Sequence, residues 1–209
     1  MGAYREEGNE MINRYLLALV AGIILVAIAG GPAAAGKVAP IPEGGLVGAT
    51  WVTNIAAGQY FGLTIFKLRP RQAGWFIEGK FGRRMTYESS DYYENISISE
   101  AEGWGDSFLK EDESYDTFDV GLTFAYTNAF ALYLGIGLSE VDSYRQYHDD
   151  FGILGDNGDY WIDGSMNGTK MNTVGGAIIR TSDTVLLQIG CDSQPKGLNI
   201  GVGITTNWP

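Results

Sequence analysis

The chain has 209 residues, enough for one domain and a leader. With 45% hydrophobic and 12% aromatic residues it is too apolar for a disordered chain, and its 30 glycines follow no fixed period, so a collagen helix is excluded. A formal charge of -11 argues against a nucleic-acid partner, and a single cysteine and a single histidine exclude an intrachain disulfide framework and a multi-cysteine zinc site.

Residues 1–35 read as a signal peptide. Leu16 to Ala35 carry no charge, Arg14 precedes the run, and Ala33-Ala34-Ala35 closes it with small residues. Glu6, Glu7 and Glu10 give the extreme N-terminus the wrong sign for such a leader, which places the true start at Met11. The rival reading is a retained membrane anchor, since about 20 apolar residues can span a bilayer. Gly30, Gly31 and Pro32 interrupt the run and favour cleavage. The leader holds two of the 14 basic and three of the 25 acidic residues, so the remainder has 12 and 22, a net charge of -10. Residues 36–45, with two prolines and three glycines, read as a linker without regular structure.

From Leu46 onward the apolar residues recur at every second position, which is strand spacing. Eight strands are predicted in chain order: Leu46 to Asn54, Tyr60 to Leu68, one around Trp75 to Phe81, Thr117 to Tyr126, Phe130 to Ser139, Met171 to Arg180, one over Val185 to Asp192, and Leu198 to Trp208. In the fourth, Phe118, Val120, Leu122, Phe124 and Tyr126 form one face, and Asp119, Gly121, Thr123 and Ala125 the other.

Three features separate a membrane barrel from a soluble sandwich. The small face is made of Gly, Ala, Ser and Thr, which suits the sealed centre of a narrow barrel, while Leu, Ile, Val and Phe on the other face suit lipid. The two long connections, about 83–116 and 140–169, fall on one side, and the tight ones at 69–73, 127–129 and 181–183 fall on the other. Charge is sorted too: residues 85–116 hold ten acids and residues 140–169 hold seven, together 17 of those 22. Trp75, Tyr126, Phe130 and Trp208 share one end and, by parity, the outer face, as an interfacial aromatic girdle requires.

The leader, the alternating hairpin DVGLTFAYTNAFALYLGIGL and the terminal strand GLNIGVGITTNW resemble small Gram-negative outer-membrane β-barrels of the OmpA and OmpX type, over about residues 46–209. The resemblance implies an all-β, eight-stranded antiparallel up-and-down transmembrane barrel in the cell outer membrane. It also implies contact with lipid bilayer and lipopolysaccharide, and recognition of the C-terminal strand by the barrel-assembly machinery. In that family the last residue is aromatic, whereas here Pro209 follows Trp208.

Glu78, Lys80, Asp119 and Arg180 all point to the small face. If Phe81 pairs with Phe118, Lys80 stands across from Asp119. Such a set is either a hydrogen-bonded plug or the selectivity feature of a narrow pore. The run Asp156 to Asp163 (DNGDYWID) offers carboxylates to a divalent cation without matching a calcium loop, so the acidic loops are either solvated or bridged by cations to lipid headgroups. His148, beside Asp149, has the chemistry of a general base, but no spacing supplies partners for it. The Tyr-rich stretch from Tyr87 to Tyr93 either adheres to a partner or packs within its loop. No catalytic residue, cofactor or resident metal is expected. The expected role is structural or interactive at the cell surface through the loops. The rivals are a small-solute pore and a secreted or periplasmic soluble β-sandwich.

Overall fold

The structure, a computed structural model, describes residues 38–54, 60–82, 93, 96–154, 158–164 and 168–206. The leader, Trp208, Asp156 and the Tyr-rich stretch up to Tyr92 lie outside the described residues. The elements in order are β1 (Leu46–Asn54), β2 (Tyr60–Arg69), β3 (Gln72–Phe81), α1 (Ile98–Trp104), β4 (Ser107–Ala125), β5 (Phe130–His148), β6 (Asp159–Asp163), β7 (Gly168–Arg180), β8 (Val185–Ser193) and β9 (Lys196–Thr206).

Every named pairing is antiparallel. The order β4-β3-β2-β1-β9-β8-β7-β5, together with the β4–β5 pairing, closes a ring of eight strands. A closed ring leaves no edge strand and pairs its backbone groups internally. It is one sheet closed on itself, so the two stacked sheets of a sandwich are not present. The ninth strand, β6, pairs only with the far end of β5.

Parity places the bulky residues outside. Phe118 (59% exposed), Val120, Leu122 and Phe124 look outward on β4, as do Leu132, Leu134, Ile136 and Leu138 on β5 and Ile200, Val202 and Ile204 on β9. Leu63, Ile65, Trp75 and Ile77 continue the band over β2 and β3. An apolar surface that encircles the molecule far exceeds the isolated patches of a water-soluble monomer.

The inner face carries more bulk than a face dominated by Gly, Ala, Ser and Thr would have. Near the end where the chain enters, Leu46, Phe66, Leu68, Phe76, Tyr133, Val174, Ile178 and Leu186 form a hydrophobic core, with Phe76 and Tyr133 edge to face at 5.3 Å. Glycines make room for it. A methyl group on Gly48 would meet Phe66 Cζ at 2.5 Å, and one on Gly135 would meet Phe76 Cζ at 2.5 Å. The small inner residues of β1 and β5 are therefore the seats of rings carried by β2 and β3.

Residues 38–41 are docked rather than a free linker. Val38 and Ile41 are buried, and Ile41 joins the core. The Ala39 amide donates to Asp183 Oδ1 at 2.6 Å and the Ile41 amide to Asn128 Oδ1 at 3.3 Å. The segment thus closes the entry end of the ring.

The segments predicted as long loops are in part regular structure. β4 and β5 stay paired from Thr117↔Ser139 out to Ser107↔His148. At about 3.3 Å per residue this two-stranded extension stands some 30 Å beyond the apolar band. β6 and α1 complete it.

The Gly48 seat is testable. Gly48→Ala should lower unfolding stability by about 1–3 kcal/mol through overpacking. Phe66→Leu in the same chain should recover part of that loss, a coupling that urea titration in detergent would measure.

Candidate functional site

Above the apolar core the interior turns polar. The Lys80 ammonium is the hub: it contacts Glu78, reaches Asp192 Oδ1 at 2.7 Å and lies 3.2 Å from Asp119 Oδ2, with all four side chains shut off from solvent or nearly so. The carboxylates are held by further donors. Glu78 accepts from the Thr64 hydroxyl and from Gln188 Nε2 (2.9 Å), and Gln188 in turn accepts from Thr50. Asn172 Nδ2 donates to Asp119 Oδ1 (2.9 Å) and Asp192 Oδ1 (3.3 Å), and Asn199 Nδ2 donates to Asp192 Oδ2 (2.8 Å). The network ties β3 to β8 across the ring. Oxygens of Glu78, Asp119 and Asp192 lie close enough together for a metal ion. The ammonium stands among those same oxygens and supplies the positive charge a cation would bring.

The pairing differs from the expected one by two residues: Glu78, not Lys80, is across from Asp119, and Lys80 is across from Thr117. A slip of two preserves the face, so the charges still meet through the length of the lysine stem. Arg180 is not in this group. Its Nη1 donates to the carbonyls of Ala39 (2.9 Å) and Asn128 (2.8 Å), where it pins the entry segment. Asp192, Asn172, Gln188 and Asn199 join the network without having been singled out in the sequence. Their signal was polar residues on the inner parity of β7, β8 and β9.

Of the aromatics expected at the entry end, Trp75 is 42% and Tyr126 75% exposed. Phe130 is 7% exposed and is no part of an outer girdle. It opens β5 after a tight turn whose Tyr126 and Thr127 amides both donate to its carbonyl.

The second site is the outer extension, a platform with its own small core. Tyr147, Tyr160, Ile162 and Ala101 of α1 are buried together, with Tyr93, Ile96, Ile98 and Leu154 packed around them. Tyr147 stacks on Tyr160 at 6.0 Å, and Tyr93 meets Tyr160 edge on, so Tyr93 packs within the loop. Ser97 and Glu100 form a capping box that starts α1, and Gly105, at φ 84°, ends it. That box holds the Glu100 carboxyl below its usual range, through hydrogen bonds from Ser97.

Acidic residues fasten the platform. Asp106 Oδ2 accepts from the Tyr160 hydroxyl at 2.6 Å. Asp149 accepts from the amides of Ile153 and Leu154, both at 2.8 Å, and Asp150 from the Ser107 amide (2.9 Å) and hydroxyl (2.6 Å). The predicted cation run is strand β6 over Asp159–Asp163, and Asp159 Oδ1 is engaged by His148 Nδ1 at 2.9 Å. His148 Nε2 lies 3.9 Å from Asp150 Oδ1. Ser107 is the strand partner of His148, but its hydroxyl donates to Asp150 and is not poised for transfer to the ring. The hydrogen bond to Asp159 and the charges of Asp150, Asp159 and Asp149 push the His148 pKa up.

No family model matches the sequence, and no curated protein does. Among solved structures the chain is similar to Ail, the attachment invasion locus protein of Yersinia pestis, at 11% identity over 77% of this chain and 91% of that one, with a TM-score of 0.40. Ail in a phospholipid bilayer nanodisc aligns at 12% identity over 78% of this chain and 99% of that one, with a TM-score of 0.43. Neisserial surface protein A aligns at 13% identity over 79% and 97%, with a TM-score of 0.34.

Two outcomes are expected. Lys80→Met, which strands three buried carboxylates, should cost about 3–5 kcal/mol in detergent unfolding, and Asp119→Asn clearly less. Because the His148 pKa is raised by folding, its contribution is complete below about pH 6.5 and fades as pH climbs through the folded value. Amide exchange of Tyr160 and Ile162, corrected for intrinsic rate, should therefore quicken above that range in the native chain and stay flat in His148→Gln.

Proposed function

We propose that the chain is an outer-membrane β-barrel whose lumen is plugged and whose role is to present a folded, acid-rich platform at the cell surface, without enzymatic activity. The observation that carries this reading is the apolar belt around a closed ring. A soluble protein has no use for such a belt, and in hydrocarbon only helices and closed barrels satisfy their backbone groups. The nearly uncharged belt strands and the acids gathered at one end support an orientation with the platform outside and the docked segment 38–41 facing the periplasm.

The pore reading is weaker. Phe66, Phe76, Leu68 and Leu186 fill one half of the interior, and the Lys80 network, out of reach of solvent, fills the next layer. An eight-stranded ring has width for side chains and for little else. Residues 38–41 cap what remains. The charges of the lumen thus act as a plug. In the enzyme reading His148 would need a nucleophile, and the Ser107 hydroxyl is committed to Asp150.

The partners that follow are the lipid bilayer and lipopolysaccharide around the belt, and the assembly machinery, which would engage β9. Divalent cations would bridge exposed platform acids to anionic headgroups.

In the refolded chain, a gel run before and after boiling should show two mobilities, and external protease should cut in the platform while sparing the belt strands. Planar bilayers should show no steady conductance. A single mobility, or resolved channels, would refute the plugged membrane barrel.

A further inference from the structure

We infer that the distal end of the platform is a docking surface for a cationic, amphipathic polypeptide; this rests on the outward orientation proposed above. Four exposed apolar residues lie beside or within the segments that Ser107, Asp149 and Asp150 tie together: Phe108 (53%), Leu109, Phe151 (68%) and Ile153. Phe108 follows Ser107 and Phe151 follows Asp150, so the bond between Ser107 and Asp150 brings both rings to one end. A methyl on Gly105 would lie 3.2 Å from the Phe151 ring, which places that ring at the close of α1. The Ile153 amide is held by Asp149. Leu109 occupies the irregularity between Phe108 and Lys110, and bulges re-aim side chains.

None of these residues belongs to the belt. The belt's outer limit on β4 is Phe118, about ten positions and some 30 Å below. Hydrocarbon accounts for exposure there. At the distal end it does not, and grouped apolar side chains facing water mark a surface that something covers.

The rim decides the chemistry of the partner. Glu102 (61%), Asp159 (50%) and Asp150 (35%) keep exposed carboxylates at this end of the platform. The nearby cations are engaged: Lys110 lies over Trp161 at 5.0 Å, Arg145 lies over one side of the Phe108 ring at 5.8 Å and is 3.8 Å from Glu111 and 3.9 Å from Glu102, and His148 lies between two carboxylates. An anionic polysaccharide, a nucleic acid or an acidic lipid surface would be repelled, and a second copy of this chain would oppose acid to acid. A segment with lysine or arginine around an aromatic or aliphatic anchor satisfies rim and rings together, and the acidic field would speed its approach.

The test uses the full chain in nanodiscs of zwitterionic lipid, with empty discs as reference. The probe is a seven-residue peptide of alternating lysine and leucine with phenylalanine at its centre, followed by titration calorimetry. Micromolar binding is expected, weakened about tenfold or more by Phe108→Ser with Phe151→Ser and by raising salt to ~0.5 M. Glu102→Gln should weaken it less. The proposal is overturned if the double variant binds as tightly as the native chain or if the native chain does not bind. It is overturned equally if a glutamate-for-lysine peptide binds as well, if the discs pair through the platform, or if it attaches to bare zwitterionic vesicles. Heat-modifiable migration and unchanged exchange of Tyr160 and Ile162 confirm that the variant is folded. Loss of heat modifiability in the native chain would instead sink the membrane reading on which this one rests.

Discussion

Eight strands closed into a ring leave an interior about as wide as two facing side chains, and almost everything in this molecule follows from how that width is shared. A large ring on one strand demands a glycine on the strand opposite or beside it. Phe66 and Phe76 take the space that Gly48 and Gly135 concede. The outer face has no such limit, so Leu, Ile, Val and Phe accumulate there. The contrast between a bulky and a spare face is therefore a packing rule before it is a membrane rule.

The same narrowness explains the polar layer. Three carboxylates at 0–4% exposure cannot be left to solvent, and the ring has room for one compact cation among them. Lysine suits the place because a compact ammonium can donate to Glu78 and Asp192 and still stand 3.2 Å from Asp119 Oδ2. A planar guanidinium would match two oxygens in a fork and crowd the third. The amides of Gln188, Asn172 and Asn199 donate to further carboxylate oxygens, while Asp119 Oδ2 and Asn199 Oδ1 are buried without a hydrogen bond, so the layer is dense but not saturated. A buried network of this kind fixes the pairing register, because a slip of one residue along β3 would turn Lys80 and Glu78 to the outer face.

Alternation made the barrel half of β4 and β5, and most of β9, legible almost residue by residue, since each carries a run of apolar residues on one face; β1, whose outer face mixes Val47, Ala49, Trp51 and Thr53, gave a weaker signal. Alternation also placed Glu78, Lys80 and Asp119 on the inner face. It could not supply the register, because periodicity is blind to a shift of two, and the Lys80–Asp119 contact is made along the lysine stem rather than straight across. Arg180 shared their parity but lies at the entry end, and parity carries no height. Phe130 has the outward parity of β5 and is nonetheless buried, where the strand leaves its turn. The platform was the least legible part. Its strands carry Lys, Glu, Asp, Tyr and Ser in no clean alternation, because one face meets a helix and small aromatic core while the other meets water. Read as composition, that mixture is a solvated loop. What identifies it as structure is the Ser97 to Glu100 capping box and the pairing of Tyr147 with Tyr160, and the second of these joins residues thirteen positions apart.

The barrel and the platform share two continuous strands, and this settles how the outer part is held. A loop spanning the same gap would lose its ends to thermal motion within a few residues, whereas β4 and β5 cross from the ring into the platform with only one irregularity in their pairing. The apolar core and the Lys80 layer lock the lower halves, and that rigidity is transmitted upward through the hairpin. The upper halves, freed from pairing with β3 and β7, take on α1 and β6 instead and spend their side chains on a second core. The acids that fasten this core do so as hydrogen-bond acceptors for backbone and hydroxyl donors; Asp106 and Asp149 are buried in doing so, and Asp150 stays partly open to solvent. The barrel is a pedestal: an interior filled with side chains keeps the ring rigid, and the hairpin of β4 and β5 carries the platform some 30 Å beyond the apolar belt.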